Sequence, residues 1–531
     1  MNHDYDVIVI GSGMGALAFG SLMAKIRGTR VLVLERHFKI GGFTHTFARP
    51  GGWSWDVGLH YVGEMGDEMM GRRLFDFITE GSVKWNPMPD VYDTFTYPSL
   101  QVNASKGAAI FQRALIDAFP GEASSIQQYF RDLKTAVNWL TRHSMAMAAP
   151  KPLSWMVRVL NRFTDGLPLR ITQEYLESRF RDPRLRAVVA SQWVDYGLPP
   201  SQSAFVTHAM IASHYLNGAW YPNGGAGQIA KATSAVIRAA GGELLPNHEV
   251  TRILVEGGRA VGVEVKIRKG KEGEQAEFRA PVIVSDAGAW NTFARMLRSH
   301  PNSDQRKSPP EGFEVVELFL GLRRDPREMG FRGENHWIFS TFDHDAMYAS
   351  RDELLQGKAA MAYLSFPSLK DPQAARHTAE IIAPLSYRSL EQYRGEPWRR
   401  RGTAYESVKC RITQALLDLV ESQHPGFRAL VEYAELATPL TFEHFTAAPS
   451  GAIYGYPGTP ERYRKGLFGT MTPISNLYLT GSDVLLPGIM GALMGGVLTA
   501  SRLMGTFGFF RIMRAVRSSS PPLRQLPPSQ H

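Results

Sequence analysis

Cysteine is almost missing from this chain. Cys410 stands alone in 531 residues, which excludes an intrachain disulfide and any cysteine-based zinc site and fits a reducing compartment. Metal-binding patterns are missing too. The fifteen histidines are scattered, none falls in H-E-x-x-H, and His208 and His214 are spaced for opposite helix faces, so no metal is expected. No segment alternates basic and stacking aromatic residues, and no fixed period recurs, which argues against nucleic acid as a partner and against a repeat array. The longest apolar run, 484–510, is broken by Pro487, clustered glycines and Arg502, with Asp483 at its head; a membrane-spanning helix would not be built so. The opening MNHDYD is polar and leads into a strand, so no secretory leader is expected there. What is present is a globular composition, 44% hydrophobic and 21% charged, in a chain long enough for two or three domains.

The most informative stretch is Tyr5 to Ala16, YDVIVIGSGMGA. Val7 to Ile10 read as a buried parallel strand that runs directly into Gly11, Gly13, Gly15 and Ala16. In this G-x-G-x-x-A pattern the first glycine allows a tight turn and the second lets the backbone approach a pyrophosphate. The small third position lets the following helix pack against the strand. Phosphates would then meet free N–H groups at a helix N-terminus. Arg30 to Glu35, RVLVLE, is a second strand, and Glu35 at its carboxyl end is placed to accept hydrogen bonds from a ribose diol. Arg36 reads either as packing beside an adenosine or as a contact to a 2′-phosphate.

Beyond the acid, RHFKIGGFTHTF offers a second backbone approach at Gly41-Gly42, followed by Phe43 and Thr44, and WSWDVGLHYVG (53–63) reads as a strand entering a glycine-relieved loop. Here the chain resembles the FAD-dependent phytoene desaturase superfamily, most of all its branch of retinol saturases and carotenoid cis–trans isomerases. The resemblance extends through HTAEIIAPLSY (377–387), TPLTFEHF (438–445) and GAIYGY (451–456). It implies an α/β, Rossmann-type two-dinucleotide-binding flavoprotein fold with an interleaved α+β substrate domain. It also implies FAD as cofactor, with NAD(P)H as a possible electron donor. By the same resemblance Asp56, Gly58, His60 and Tyr61 lie on the flavin's substrate side, and Val250, in the hairpin Glu249 to Ile267, meets the adenine. Asp286, at the end of the strand VIVSDAG (282–288), belongs to the same cofactor set. Tyr61, His60 and Tyr454 are the candidate proton donors. Phe442, Phe445, Tyr454 and Tyr456 are candidates for the wall of an apolar tunnel.

The second diagnostic stretch is NLYLTGSDVLLPGIMGALMGG, 476–496. A short strand ends in Gly481 and Asp483, whose carboxylate could accept a bond from a ribityl chain. Gly488, Ile489 and Met490 then open a helix whose N-terminus would stabilise negative charge on a reduced flavin ring. A nicotinamide dehydrogenase needs no such closing segment. The expected FAD-binding domain is therefore discontinuous: 1–80, 245–298 and 471–505. The substrate domain comprises 81–244 and 299–470, with a helical lid around MAMAAPKPLSWMVRVLNRF (145–163) and a solvent loop at 299–310. No acid occurs from Arg502 to the end and the net charge is +9. Residues 503–517 accordingly read as a basic amphipathic helix able to lie on an anionic membrane, and 518–531 as a disordered tail.

The function implied is an FAD-dependent oxidoreductase acting on carbon–carbon double bonds of a hydrophobic polyene or isoprenoid, cytoplasmic and peripherally membrane-associated. Desaturation, a soluble amine or amino-acid oxidase on the same scaffold, and a flavin-containing lipid-binding protein remain as other readings.

Overall fold

The computed structural model describes residues 4–149, 151–269, 274–298, 312–465 and 469–519. Val7–Ile10 is the middle strand of a five-stranded parallel sheet, in the order Leu477–Leu479, Ile283–Ser285, Val7–Ile10, Val31–Leu34, Glu243–Leu245. Successive side chains of a strand point to opposite faces, and here both faces are buried. Val7, Val9, Val31 and Val33 join one core with Leu17, Leu22 and Ile237, while Ile8, Ile10, Leu32 and Leu34 join another with Ile253, Val263 and Val265. The first face is covered by the helices Met14–Arg27, Gly227–Ala239 and Gly488–Leu503, the second by the antiparallel strands His248–Glu256, Arg259–Ile267 and Gln275–Arg279. Close helix crossing requires glycine: a Cβ on Gly496 would stand 2.8 Å from that of Ala18, and one on Gly20 2.8 Å from Ile237 Cδ1.

The second layer is a seven-stranded mixed sheet, ordered Val431–Ala437, Val315–Leu322, His377–Pro384, Met361–Ser365, Asn335–Phe339, Val91–Tyr97, Leu100–Ser105. One face, with Leu318, Leu320 and Ile381, packs on Ile412, Leu416 and Val420 of the helix Gly402–Gln423. The other face carries Phe319, Ile382, Tyr363 and Trp337 toward the nucleotide layer. The segment expected as a helical lid lies in the helices Ala123–Ala148 and Lys151–Arg162 and the residue that follows, where Met145, Trp155, Met156, Leu160 and Phe163 are exposed.

Three expectations are corrected. Residues 227–244 belong with the nucleotide layer rather than the substrate half, because Gly227–Ala239 packs on the first helix and Glu243–Leu245 pairs with Val31–Leu34. The basic helix does not begin at residue 503. Leu503 ends the helix Gly488–Leu503, and a separate helix, Gly508–Ser519, follows. That last helix is packed on protein by Ile512 and Val516, both at most 1% exposed. Burial of two such side chains stabilises by roughly 1.5–3 kcal/mol each, so this face is not available to lipid. Phe507 and Phe510 remain exposed beside it. Of the tail expected at 518–531, residues 518 and 519 are helical and 520–531 lie outside the described residues, as does the loop expected at 299–310.

Candidate active site

A cavity of about 1260 Å³ runs between the two layers, above the roughly 300–1,000 Å³ of ordinary ligand pockets. At one end lie Gly11, Gly13, Glu35, Arg36, Gly42, Phe43 and Thr44. Val250 and Asp286 flank them, and Asp483, Gly488 and Ile489 follow toward the middle. At the other end the wall is Phe319, Trp337, Tyr363, Ile382 and Tyr454, interrupted by His60, Asp195 and Glu317. The four aromatic candidates for the tunnel wall, Phe442, Phe445, Tyr454 and Tyr456, all line it.

The nucleotide end fits FAD on its own chemistry. Gly11 turns at φ +92°, and Gly488 sits at φ +79° with nothing within 4 Å of where a Cβ would stand. At each of these turns a side chain would be strained, and at Gly488 it would also fill the space at the helix start. Glu35 is buried at the end of its strand and already organises the loop. Its Oε2 accepts from Ser12 N at 2.9 Å and Ser12 Oγ at 2.7 Å, and its Oε1 from His37 N at 2.7 Å. Burial raises the Glu35 carboxyl's pKa, against the pull of these bonds. Arg36 donates from Nε to Glu249 at 3.3 Å and from Nη1 to the His444 carbonyl at 3.0 Å. Held in this way, it braces the adenosine side and is not displayed for a 2′-phosphate. Asp286 accepts backbone N–H groups of Ala16 and Gly13, while burial and the neighbouring Glu35 and Asp483 carboxylates push it up to about 7. Asp483 accepts Ala289 N at 2.7 Å and Tyr456 N at 2.8 Å, so it ties two loops together as it borders the cavity.

Six of the expected cofactor and catalytic residues lie outside the cavity lining. Gly15 and Gly481 face one another where the first helix meets the sheet edge, a contact any Cβ would block. Asp56 lies outside the cavity lining: it accepts from Ala226 N at 2.9 Å and from the Tyr221 hydroxyl, and burial pushes it up to about 8. Its work is to hold the start of the helix Gly227–Ala239. Met490 points at Gly71 instead of the cavity. Tyr61 stands one side chain behind the wall, 6% exposed and stacked on Tyr215 at 4.1 Å. Ala16 is fully buried in the helix–sheet contact, whereas Gly58 does line the cavity, with the Phe43 ring 3.0 Å from its Cβ position. Of the three candidate proton donors, His60 and Tyr454 are on the wall and Tyr61 is not.

The acid groups at the substrate end include four that the sequence reading did not single out. The Tyr61 hydroxyl lies 2.8 Å from Asp195 Oδ2 and 3.1 Å from Asp93 Oδ2. One hydroxyl has one proton, so one of the two carboxyls must supply its own. Asp93 also accepts from Asn335 Nδ2 at 2.9 Å and Gln192 Nε2 at 2.8 Å. These donors favour it as the anion and leave Asp195 as the acid. Burial, with the Asp93 charge, pushes Asp195 up to about 8, and the Tyr61 bond and Lys370 pull the other way. Glu317, on the same wall, and the fully buried Glu380 flank His60. A single acid inside each of the apolar strands VVELFLGL and HTAEIIAP was a legible signal. Asp195, in a short irregular turn, had none.

The family of flavin-containing amine oxidoreductases matches residues 24–374. All-trans-retinol 13,14-reductase of Danio rerio is 32% identical over 94% of this chain and 86% of its own length. Prolycopene isomerase 2, chloroplastic, of an Oncidium hybrid cultivar is 26% identical over 95% of this chain and 85% of its own. Among solved structures, cyclohexylamine oxidase from Brevibacterium oxydans IH-35A superposes with a TM-score of 0.58 at 16% identity, covering 97% of this chain and 99% of that one.

Proposed function

The chain belongs to the flavin-containing amine oxidoreductase family, in the branch of retinol reductases and carotenoid isomerases, and from that premise we propose that it reduces one carbon–carbon double bond of a conjugated polyene. The observation that carries the reading is the continuity of one cavity from the Glu35 cradle to an aromatic wall that holds a half-buried acid, Asp195. When bound, FAD supplies the hydride chemistry.

The chain's own residues do the rest. Glu35 would hold the ribose hydroxyls, and the N-terminus of the helix Met14–Arg27 would hold the phosphates. The glycine-led start of Gly488–Leu503 presents N–H groups toward developing negative charge. Phe319, Trp337, Tyr363 and Ile382 exclude water from the reacting bond. Asp195, on the wall and protonated at neutral pH, delivers the proton that saturation needs on the second carbon. Tyr61 and Asp93 behind it orient that carboxyl. Tyr61 is thus a positioning residue, and the acid role passes from it to Asp195.

The polyene would arrive from a membrane. No helix among the described residues is long and apolar enough to cross one. Exposed Trp155, Met156, Leu160 and Phe163 on the lid offer a shallow contact instead.

The test is anaerobic: photoreduced or NAD(P)H-reduced holoprotein is mixed with retinol-like and carotene-like polyenes and the products are weighed by mass spectrometry. A gain of two hydrogens is expected. Unchanged mass with altered retention would make the protein an isomerase, and loss of two hydrogens on the oxidised enzyme a desaturase.

A further inference from the structure

The cavity wall also holds a group of cations that neither the FAD cradle nor the reacting end uses. Arg401, Tyr405 and Lys409 follow one another at four-residue spacing, on one face of the helix Gly402–Gln423 and the residue before it, and all three line the cavity. The Arg401 guanidinium carbon stands 5.4 Å from the centre of the Tyr405 ring and Lys409 Nζ 5.8 Å from it, so two cations share one ring. Arg399 lies beside them, over the Trp398 ring at 4.4 Å. Arg399 is exposed, so the group stands where the cavity meets solvent.

These charges are poorly matched by acids. Arg401 is 7% exposed, makes no ion pair among the described residues, and has no hydrogen-bond partner for its Nε. Its bond from Nη2 to the Leu440 carbonyl is long, at 3.4 Å. Lys409 has Glu406 at 3.6 Å. Glu435, the other carboxylate on this part of the wall, is held by Arg49 at 2.6 and 2.7 Å and by the Tyr433 hydroxyl at 2.6 Å. A buried guanidinium without a counter-charge is costly. A small dianion placed here would meet both cations, and the fork of N–H groups on an arginine matches the oxygens of a phosphate.

The group is separate from the FAD cradle. His444 stands between them: its carbonyl takes the bond from Arg36 Nη1 at 3.0 Å, and its ring stacks on Trp398 with centres 5.5 Å apart. The helix Met14–Arg27, whose start suits the FAD phosphates, packs in the nucleotide layer, whereas Gly402–Gln423 packs on the seven-stranded sheet.

We infer that Arg401 and Lys409, with Arg399, bind the phosphate dianion of an exchangeable ligand at the mouth of the cavity, in addition to FAD. Two sources carry that chemistry: the 2′-phosphate of a nicotinamide dinucleotide phosphate, and the headgroup of a phospholipid with a terminal phosphate. Arg36 is braced against Glu249 and His444, so recognition of a 2′-phosphate would fall to this second group of cations.

The test is calorimetric binding to the oxidised, FAD-loaded protein, where no electrons move. NADP+ is compared with NAD+, and phosphatidic acid vesicles with phosphatidylcholine vesicles. In one of the two pairs the ligand with the phosphate dianion should bind tenfold to a hundredfold more tightly than its partner. The preference should shrink as salt is added, and Arg401→Met and Lys409→Met should each abolish it while the flavin spectrum is retained. Preference within the first pair identifies a nucleotide and within the second a lipid; either supports the site. No preference in either pair overturns the inference on wild type alone. So does a preference that survives Lys409→Met, whose side chain is 23% exposed and whose replacement is readily tolerated if Arg401→Met fails to fold. Photoreduced protein needs no nucleotide to convert a polyene, so a failure of the polyene-reduction reading and a failure of this one are separate results.

Discussion

Asp195→Asn is the substitution on which the proposed chemistry turns. The side chain keeps its size and its place in the wall but has no acidic proton. Loss of a general acid typically slows a reaction by about 10²–10⁴-fold, and saturation should fall by that range. Reduction of the flavin, which needs no proton from this wall, should be nearly unchanged. The pH profile sharpens the case. With Asp195 pushed up to about 8, single-turnover saturation by pre-reduced enzyme should be flat near neutrality and drop tenfold per pH unit above about 8. The neighbours should move that limb in opposite directions. The Tyr61 bond holds the Asp195 pKa down, so Tyr61→Phe moves the limb to higher pH; the Asp93 charge holds it up, so Asp93→Asn moves it to lower pH. The assay is stopped-flow mixing with chemical quench, following polyene absorbance and dihydro product from pH 6 to 9.5. An Asp195→Asn enzyme that saturates at the wild-type rate would refute the assignment. A limb that stays put in both Tyr61→Phe and Asp93→Asn would refute the coupling.

Glu35→Ala should weaken FAD retention by about 1.5–3 kcal/mol, a tenfold to hundredfold rise in Kd, since a charge-assisted bond to the ribose is lost; ultrafiltration and flavin fluorescence measure it, and unchanged retention would remove Glu35 from the cradle. Stability of the apoprotein should decline with rising pH. Asp56 and Asp195 are pushed up to about 8 and Asp286 to about 7, so between about pH 4 and 8 the unfolded chain binds fewer protons than the native one. The stabilisation is then complete below about pH 4 and lost as pH rises through 7–8, and a Tm that climbs from pH 5.5 to 8.5 would contradict this. Trp155→Asp with Phe163→Asp should lower co-sedimentation with anionic vesicles at low salt while Tm stays within a few degrees; binding that is unaltered by the pair but abolished by Phe507→Asp with Phe510→Asp would move the contact to the last helix.

The nucleotide half was legible because its constraints are local. A buried strand, a glycine turn that no Cβ permits and an acid one strand later are consecutive in sequence, and their geometry follows from backbone stereochemistry alone. The closing stretch at Gly481 to Gly496 was legible for the same reason. The substrate half was not, because its wall is assembled by register between strands far apart in the chain. Glu317 and Glu380 become neighbours only when Val315–Leu322 pairs with His377–Pro384. Asp195 is held in its acid form only when the fold buries it and brings up Asp93, 102 positions away. The same distinction explains the misplacements. Tyr61 lies in the expected loop, but stacking on Tyr215 turns it behind the wall, and Asp56 is drawn off to the start of the helix Gly227–Ala239. The basic segment at the end has the periodicity of a lipid-facing helix, yet the tertiary structure supplies a protein surface for Ile512 and Val516. Periodicity determines that a helix has an apolar face, and only the fold decides what that face meets.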